Sequence, residues 1–143
     1  MKKIIIISVP VIIAVGVAIS LAFVMIMSAF YELNPLWKSD EELKDYLLDI
    51  TPIGTSMEDA ENAVKKKFDL EYGISVNMES GYKINSEGRR YSYRPDESYT
   101  IVGEKSIKFY LGYDVFHSVH AEYAFDKDDK LIDILVTKFL QLI

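Results

Sequence analysis

The two histidines, His117 and His120, and the neighbouring Asp114 are the side chains best suited to bind a metal ion or to transfer a proton. Apolar and polar residues alternate through this segment, which predicts a β-strand. Residues three positions apart on a strand point to opposite faces, so the two imidazoles cannot readily share one ion. We therefore predict no metal site here and place His120 at the surface beside Glu122.

Covalent catalysis lacks its usual residues in this chain. There is no cysteine, no serine within a Gly-x-Ser-x-Gly turn and no glycine-rich phosphate loop. Neighbouring acidic residues fall where helix starts and turns are expected, and residues 126–129 lack the later glycine and glutamate of a calcium-binding loop. The sequence therefore predicts a protein that is not an enzyme and needs no cofactor.

A basic and aromatic segment is the strongest candidate for binding a partner. Arginine and tyrosine dominate the energetics of many protein interfaces, and this segment follows a Ser-Glu-Gly sequence that is expected to form an exposed turn. The predicted partner-binding residues are Arg89, Arg90, Tyr91, Tyr93 and Arg94. The alternative is an exposed hairpin whose side chains make ordinary cross-strand pairs.

The charge of the chain disfavours nucleic acid as that partner. The chain has 16 basic and 22 acidic residues, which give a formal net charge of −6. Lys2 and Lys3 precede a long apolar run, so the rest of the chain has 14 basic against 22 acidic residues, a net charge of −8. A domain this acidic repels phosphate backbones.

The apolar run, residues 4–30, contains no charged residue. A helix of this length extends roughly 40 Å, which exceeds the roughly 30 Å hydrocarbon core of a bilayer. Lys2 and Lys3 favour a cytoplasmic N-terminus, with the remaining chain outside the cell membrane. The alternative is a signal peptide cleaved near residues 20–22, which would give a secreted domain, although signal peptides usually have an apolar part of about 7–15 residues.

We accordingly divide the sequence into a transmembrane signal-anchor at residues 1–31, a juxtamembrane linker at 32–38 and one extracytoplasmic domain at 39–143. Pro35 interrupts the helix within the linker. Trp37 suits either the membrane–water boundary or the core of the domain.

Two short helices are expected to open the domain. Ser39 with Glu42, and Ser56 with Asp59, have the spacing of residues that cap a helix N-terminus. Apolar residues recur at helical spacing after each cap, so each helix has one face to bury. These residues are Leu43, Tyr46 and Leu47 in the first helix and Met57, Ala60, Val64 and Phe68 in the second.

Alternation with a period of two follows Gly73 and predicts strands. The predicted strands are residues 74–78, 99–102, 106–111 and 118–125, then a last strand with Ile132, Ile134 and Val136 facing inward and Leu131, Leu135 and Phe139 on the other face. The predicted fold class is α+β, with an N-terminal transmembrane helix followed by two short helices packed on an antiparallel β-meander of about four to five strands.

Two segments, residues 52–60 (PIGTSMEDA) and residues 122–138 (EYAFDKDDKLIDILVTK), resemble the small envelope proteins of the SmpA/OmlA (BamE-like) type. The β-lactamase-inhibitor-protein fold shares their layout of helices against an antiparallel sheet. The resemblance implies that fold and a role as a binding or assembly module. It differs in one respect, because those proteins usually carry a lipid on a cysteine and this chain has none.

Two functions remain open from the sequence. The first is a non-enzymatic, membrane-anchored extracytoplasmic module that binds another envelope or extracellular protein, as an assembly factor, an inhibitor or an immunity-type protein. The second is a small accessory domain that senses a ligand or a metal. A flat face rich in tyrosine and arginine would favour the first, and a deep pocket with converging polar groups would favour the second.

Overall fold

A computed structural model describes the backbone of residues 2–92 and 95–141 and the side chains of residues 9–92 and 95–141. The chain divides into two compact units, residues 1–35 and residues 36–143.

The first unit consists of one long α-helix, α1 (Lys2–Leu33). Within its part Val9–Leu33, an 18-residue stretch has a mean hydropathy of 2.8, and none of that stretch is buried within the protein. This helix is long and apolar enough to cross a membrane, as the uninterrupted apolar sequence predicts. It ends two residues before Pro35, which begins a short 3-10 turn, Pro35–Trp37.

The second unit begins with the two predicted helices, α2 (Asp40–Ile50) and α3 (Met57–Phe68). The cap of α2 is reciprocal, because Ser39 Oγ accepts a hydrogen bond from the Glu42 amide and the Glu42 carboxylate accepts one from the Ser39 amide. Ser56 Oγ accepts a hydrogen bond from the Asp59 amide at the start of α3. Both predicted helix starts are confirmed.

In the part of the chain that the structure describes, six strands follow and form two antiparallel sheets. They are β1 (Ile74–Asn77), β2 (Tyr82–Ile84), β3 (Thr100–Val102), β4 (Lys105–Tyr113), β5 (His117–Phe125) and β6 (Leu131–Leu140). The larger sheet has the order β1-β4-β5-β6, and β2 pairs with β3 in a separate hairpin. The α+β class with an N-terminal apolar helix and an antiparallel sheet is therefore confirmed.

The core lies between the two helices and one face of the larger sheet. The rings of Phe109 on β4 and Tyr123 on β5 meet edge-on with their centres 5.1 Å apart. Both rings are completely buried, as the alternation in β4 and β5 predicts. Other fully buried members of the core are Leu43, Leu47, Ala60, Val64, Ile107, Val119, Ala121, Phe125, Leu131 and Ile134.

The start of β6 corrects the predicted register. Phe125 pairs with Leu131, whereas Ala124 pairs with Asp133, so Ile132 is an extra residue that forms a β-bulge. The bulge turns Leu131 into the core, where it is fully buried, and leaves Ile132 exposed. The assignment of Ile132 to the inward face and Leu131 to the other face was therefore wrong.

The second face of the sheet is more covered than the alternation suggests. Glu122 is only 8% exposed, and Ala124 beside it is fully buried. The β2–β3 hairpin, in which β2 was not predicted, lies over this face of the sheet. Gly103 makes the close approach of this segment to β5 possible, because its φ is +81° and a Cβ there would lie 2.9 Å from Ala124 Cβ.

Candidate functional site

A groove of about 940 Å³ runs along one edge of the larger sheet. Its floor is β6 from Asp133 to Phe139. One wall is the start of α2, with Asp40, Glu41 and Lys44. The other wall, formed by β2 and the segment after it, includes Tyr82, Ile84 and the residues from Glu87 to Ser92. The groove therefore follows a strand rather than enclosing a compact cavity.

The strand on the floor is an edge strand. Within residues 2–92 and 95–141, β6 pairs with β5 and with no other strand. The Gln141 amide donates to the Phe116 carbonyl across this pair, which sets the alternation of hydrogen bonds along the ladder. It follows that Leu135 and Thr137 direct their backbone groups toward β5, whereas Val136 and Lys138 direct theirs into the groove. An extended polypeptide could pair with those outward groups.

Asp133 marks one end of the groove and ties its two walls together. Its carboxylate lies 2.6 Å from Lys44 Nζ on α2 and accepts a hydrogen bond of 2.5 Å from the Tyr82 hydroxyl on β2. Burial tends to raise the pKa of Asp133, but the hydrogen bonds from Lys44 and Tyr82 outweigh it and lower that pKa below its usual range. Asp133 is therefore ionised at neutral pH and holds the walls at a fixed separation.

The structure places three of the predicted partner-binding residues in the groove wall: Arg89, Arg90 and Tyr91. The Arg89 side chain is 80% exposed and lies 3.3 Å from Glu87. Tyr91 packs its ring on that of Tyr99, with the centres 4.9 Å apart. The other two predicted residues, Tyr93 and Arg94, lie outside the residues that the structure describes.

Arg90 is less exposed than the sequence suggests. Its guanidinium lies 3.2 Å from the nearly buried carboxylate of Glu122 and 5.3 Å from the centre of the Phe139 ring. The sequence could not show these contacts, since Glu122 and Phe139 are distant along the chain. Arg90 thus attaches this wall of the groove to the sheet, while Arg89 remains accessible.

The two histidines lie in different surroundings. His117 Nδ1 lies 3.0 Å from the Asp114 carboxylate. His120 packs against Tyr110 and Phe139, with ring centres 5.2 Å apart in each case. Burial, with the nearby charges of Lys108 and Arg90, lowers the pKa of His120, so its ring is neutral at neutral pH. Its placement as a simple surface residue was therefore incomplete. Within the described part of the chain, no group of three or more His, Asp or Glu side chains is arranged to hold a metal ion.

No family model matches this chain, and neither the curated proteins nor the solved structures contain a match to it. Function must therefore be inferred from the residues of the chain itself. The sequence analysis did not identify the exposed sheet edge. The long alternating last strand was a signal for it, because the final strand of a meander has only one neighbour.

Proposed function

We propose that this chain is a non-enzymatic, membrane-anchored protein-binding module, and that its domain binds an extended segment of a partner protein alongside β6. The observation that supports the proposal is the position of an unpaired strand edge at the bottom of a groove. Strand addition of this kind derives affinity from backbone hydrogen bonds and specificity from the flanking side chains.

The walls of the groove indicate what such a segment would contain. Asp40 and Glu41 carry negative charge on one side, where the Lys44 ammonium is paired with Asp133. On the other side the exposed guanidinium of Arg89 lies 3.3 Å from Glu87 and stays accessible to a second carboxylate. A segment with acidic side chains toward Arg89 and basic side chains toward α2 would match both walls. The floor from Asp133 to Phe139 corresponds to roughly 20 Å of extended chain.

The membrane part of the proposal rests on α1 and its flanks. We infer that α1 remains as an anchor with Lys2 and Lys3 on the cytoplasmic side, so that the domain lies outside and meets an envelope or extracellular protein. The resemblance of residues 52–60 and 122–138 to the SmpA/OmlA type supports a general role as a binding or assembly module. An accessory ligand-sensing domain is the second candidate, because the groove has the volume of many small-molecule sites.

The strand-addition proposal can be tested with the full chain in phosphatidylcholine nanodiscs and a phage-displayed library of unstructured decapeptides. Bound peptides are expected to slow hydrogen exchange at the Val136 and Lys138 amides at least about tenfold, while Leu135 and Thr137, already bonded to β5, stay unchanged. Arg89→Ala should weaken the binding of acidic peptides. Lys66→Ala on α3, away from the groove, is the matched control and should leave that binding unchanged. Selection of no peptide, or of peptides that leave Val136 and Lys138 unaffected, would refute strand addition.

The anchor and its orientation need a separate measurement. The full chain should remain with membranes after alkaline extraction. Alkaline pH releases proteins that electrostatic attraction holds at the membrane surface, whereas a spanning helix stays in the hydrocarbon core. Protease added to the outside of intact cells should remove the domain. Release by alkali would contradict the anchor, and protection of the domain would contradict the orientation.

A further inference from the structure

The turn between β4 and β5 exposes a group of large apolar side chains. Phe116 is 66% exposed and Val115 is 55% exposed, although nothing in a soluble turn requires either residue to be apolar. Tyr113 at the end of β4 and Leu140 at the end of β6 are exposed beside them. We refer to Tyr113, Val115, Phe116 and Leu140 as the apolar tip.

The backbone of the apolar tip is held in place by one carboxylate. Asp114 Oδ1 accepts hydrogen bonds from the amides of Phe116, at 2.8 Å, and His117, at 2.7 Å. Lys138 Nζ and the His117 ring also contact this carboxylate. The charges at the base of the turn are thus paired with one another, and the exposed side chains above them carry no charge.

The apolar tip is also close to the point where the chain enters the domain. Leu36, the first residue of the second unit, packs so near Gly112 that a Cβ on Gly112 would lie 3.2 Å from Leu36 Cδ1. Lys138 Nζ donates to the carbonyls of Leu36, at 2.8 Å, and Lys38, at 2.7 Å. Only three residue steps separate Leu36 from Leu33 at the end of α1, and extended chain covers about 11 Å in that distance.

We propose that the apolar tip inserts into the interfacial layer of the bilayer that α1 spans. The proposal rests on the membrane anchoring proposed above, since the short connection between Leu33 and Leu36 keeps this end of the domain at the bilayer surface. Tyrosine and phenylalanine are residues that enter the interfacial region readily. The net charge of −8 on the chain after Lys3 favours zwitterionic lipid over anionic lipid. Insertion restricts the tilt of the domain and so sets the direction in which β6 faces.

The absence of cysteine from the chain makes a direct depth measurement possible. Single cysteines introduced as Val115→Cys, Lys127→Cys and Leu21→Cys would be spin-labelled in the full chain in phosphatidylcholine vesicles. Lys127 lies in the turn at the opposite end of β5 and is the aqueous control, and Leu21 in α1 is the hydrocarbon control. The label at 115 should lie about 5–10 Å below the phosphates, accessible to oxygen and shielded from a water-soluble nickel complex.

Phe116→Ser combined with the label at 115 should move that label outward to the depth of the control at 127. A label at 115 that is aqueous while the label at 21 is in hydrocarbon would overturn tip insertion and leave the anchor intact. A label at 115 shielded from both reagents would show a protein contact, such as a second copy, and would also overturn it. An aqueous label at 21 would refute the anchor and, with it, the insertion.

Discussion

The guanidinium of Arg90 lies 3.2 Å from the carboxylate of Glu122, across the boundary between the groove wall and the sheet. Lys108 approaches the same carboxylate at 3.9 Å, so Glu122 compensates two cations on a face that the hairpin covers. Arg90, one of the residues that the sequence predicts to bind a partner, therefore also holds the groove wall to the sheet. Among the described residues, Arg89 makes no comparable contact with the sheet, so variants of Arg89 and Arg90 separate partner binding from stability in experiments.

Arg90→Ala should lower the free energy of unfolding by about 1–3 kcal/mol, because it leaves the nearly buried Glu122 with a weaker partner. Arg89→Ala, on an exposed side chain, should change it by less than about 0.5 kcal/mol. Denaturant unfolding of the full-length variants in detergent measures both values. Equal, small effects would mean that Arg90 does not hold the groove wall to the sheet.

Lys138→Met should destabilise the domain by about 3 kcal/mol, because it removes the ammonium group from Asp114 and from two backbone carbonyls in a largely buried site. Burial tends to raise the pKa of Asp114, but hydrogen bonds from Phe116, His117 and Lys138 lower it to about 2. The stability that this shift contributes is therefore complete above about pH 4 and is lost as the pH falls through about 2.

In the Lys138→Met variant the pKa of Asp114 should rise toward its usual value, and acid unfolding should begin at a higher pH than in the unmodified protein. Carbon NMR titration of the Asp114 carboxyl follows the first change, and circular dichroism follows the second. Lys127→Met is the matched control, because Lys127 is exposed in the turn before β6. An unchanged titration of Asp114 would contradict the pairing.

The β-bulge at Ile132 predicts that truncation of two neighbouring side chains lowers the free energy of unfolding by different amounts. Leu131→Ala should cost about 2–5 kcal/mol, because it opens a cavity in the core. Ile132→Ala should cost much less, because that side chain is 40% exposed. Urea unfolding curves of the two variants distinguish the bulged register from simple alternation, in which Ile132 would be the more costly position.

His120 should make stability depend on pH near neutrality. Burial and the charges of Lys108 and Arg90 lower the pKa of His120 in the folded state, whereas the unfolded pKa is about 6.5. The free energy of unfolding is therefore highest above the pKa of His120 in the unfolded chain, and it falls as the pH drops below that value. His120→Phe should remove this slope while keeping the packing on Tyr110 and Phe139. Melting temperatures of the unmodified protein and of the His120→Phe variant, measured from about pH 8 to pH 5, test this prediction. An equal slope in the two proteins would exclude His120 as the source of the pH dependence.

Features determined by nearby residues were predictable from the sequence. The caps at Ser39 and Ser56 depend on contacts three residues away, and the alternation from 118 to 125 places Val119, Ala121 and Tyr123 in the core as expected. The apolar composition of α1 was similarly sufficient to predict a helix that could span a membrane.

Features determined by distant residues were not predictable in this way. The bulge at Ile132 depends on how the turn after Phe125 closes, which the alternation of apolar residues does not encode. The groove depends on β6 being at the sheet edge and on Tyr82 meeting Asp133, two residues that are far apart in the sequence. The segment from Arg89 to Tyr91 was identified by residue type, but its division into an accessible Arg89 and an attached Arg90 required the structure.

The β2–β3 hairpin lies between β1 and β4 in the sequence but not in the sheet, which affects how this protein can change during evolution. β1 and β4 are neighbours in the sheet, with Ile74 opposite Phe109, whatever the chain does between residues 78 and 104. Lengthening such an excursion costs little, about 0.6 kcal/mol for each doubling. One wall of the groove, including Arg89, therefore belongs to a segment whose exposed residues can change as long as Arg90 and Tyr82 keep their contacts with the sheet. The opposite wall on α2 is fixed by the core. Relatives with the same scaffold are expected to differ mainly in this hairpin, and with it in the partner they select.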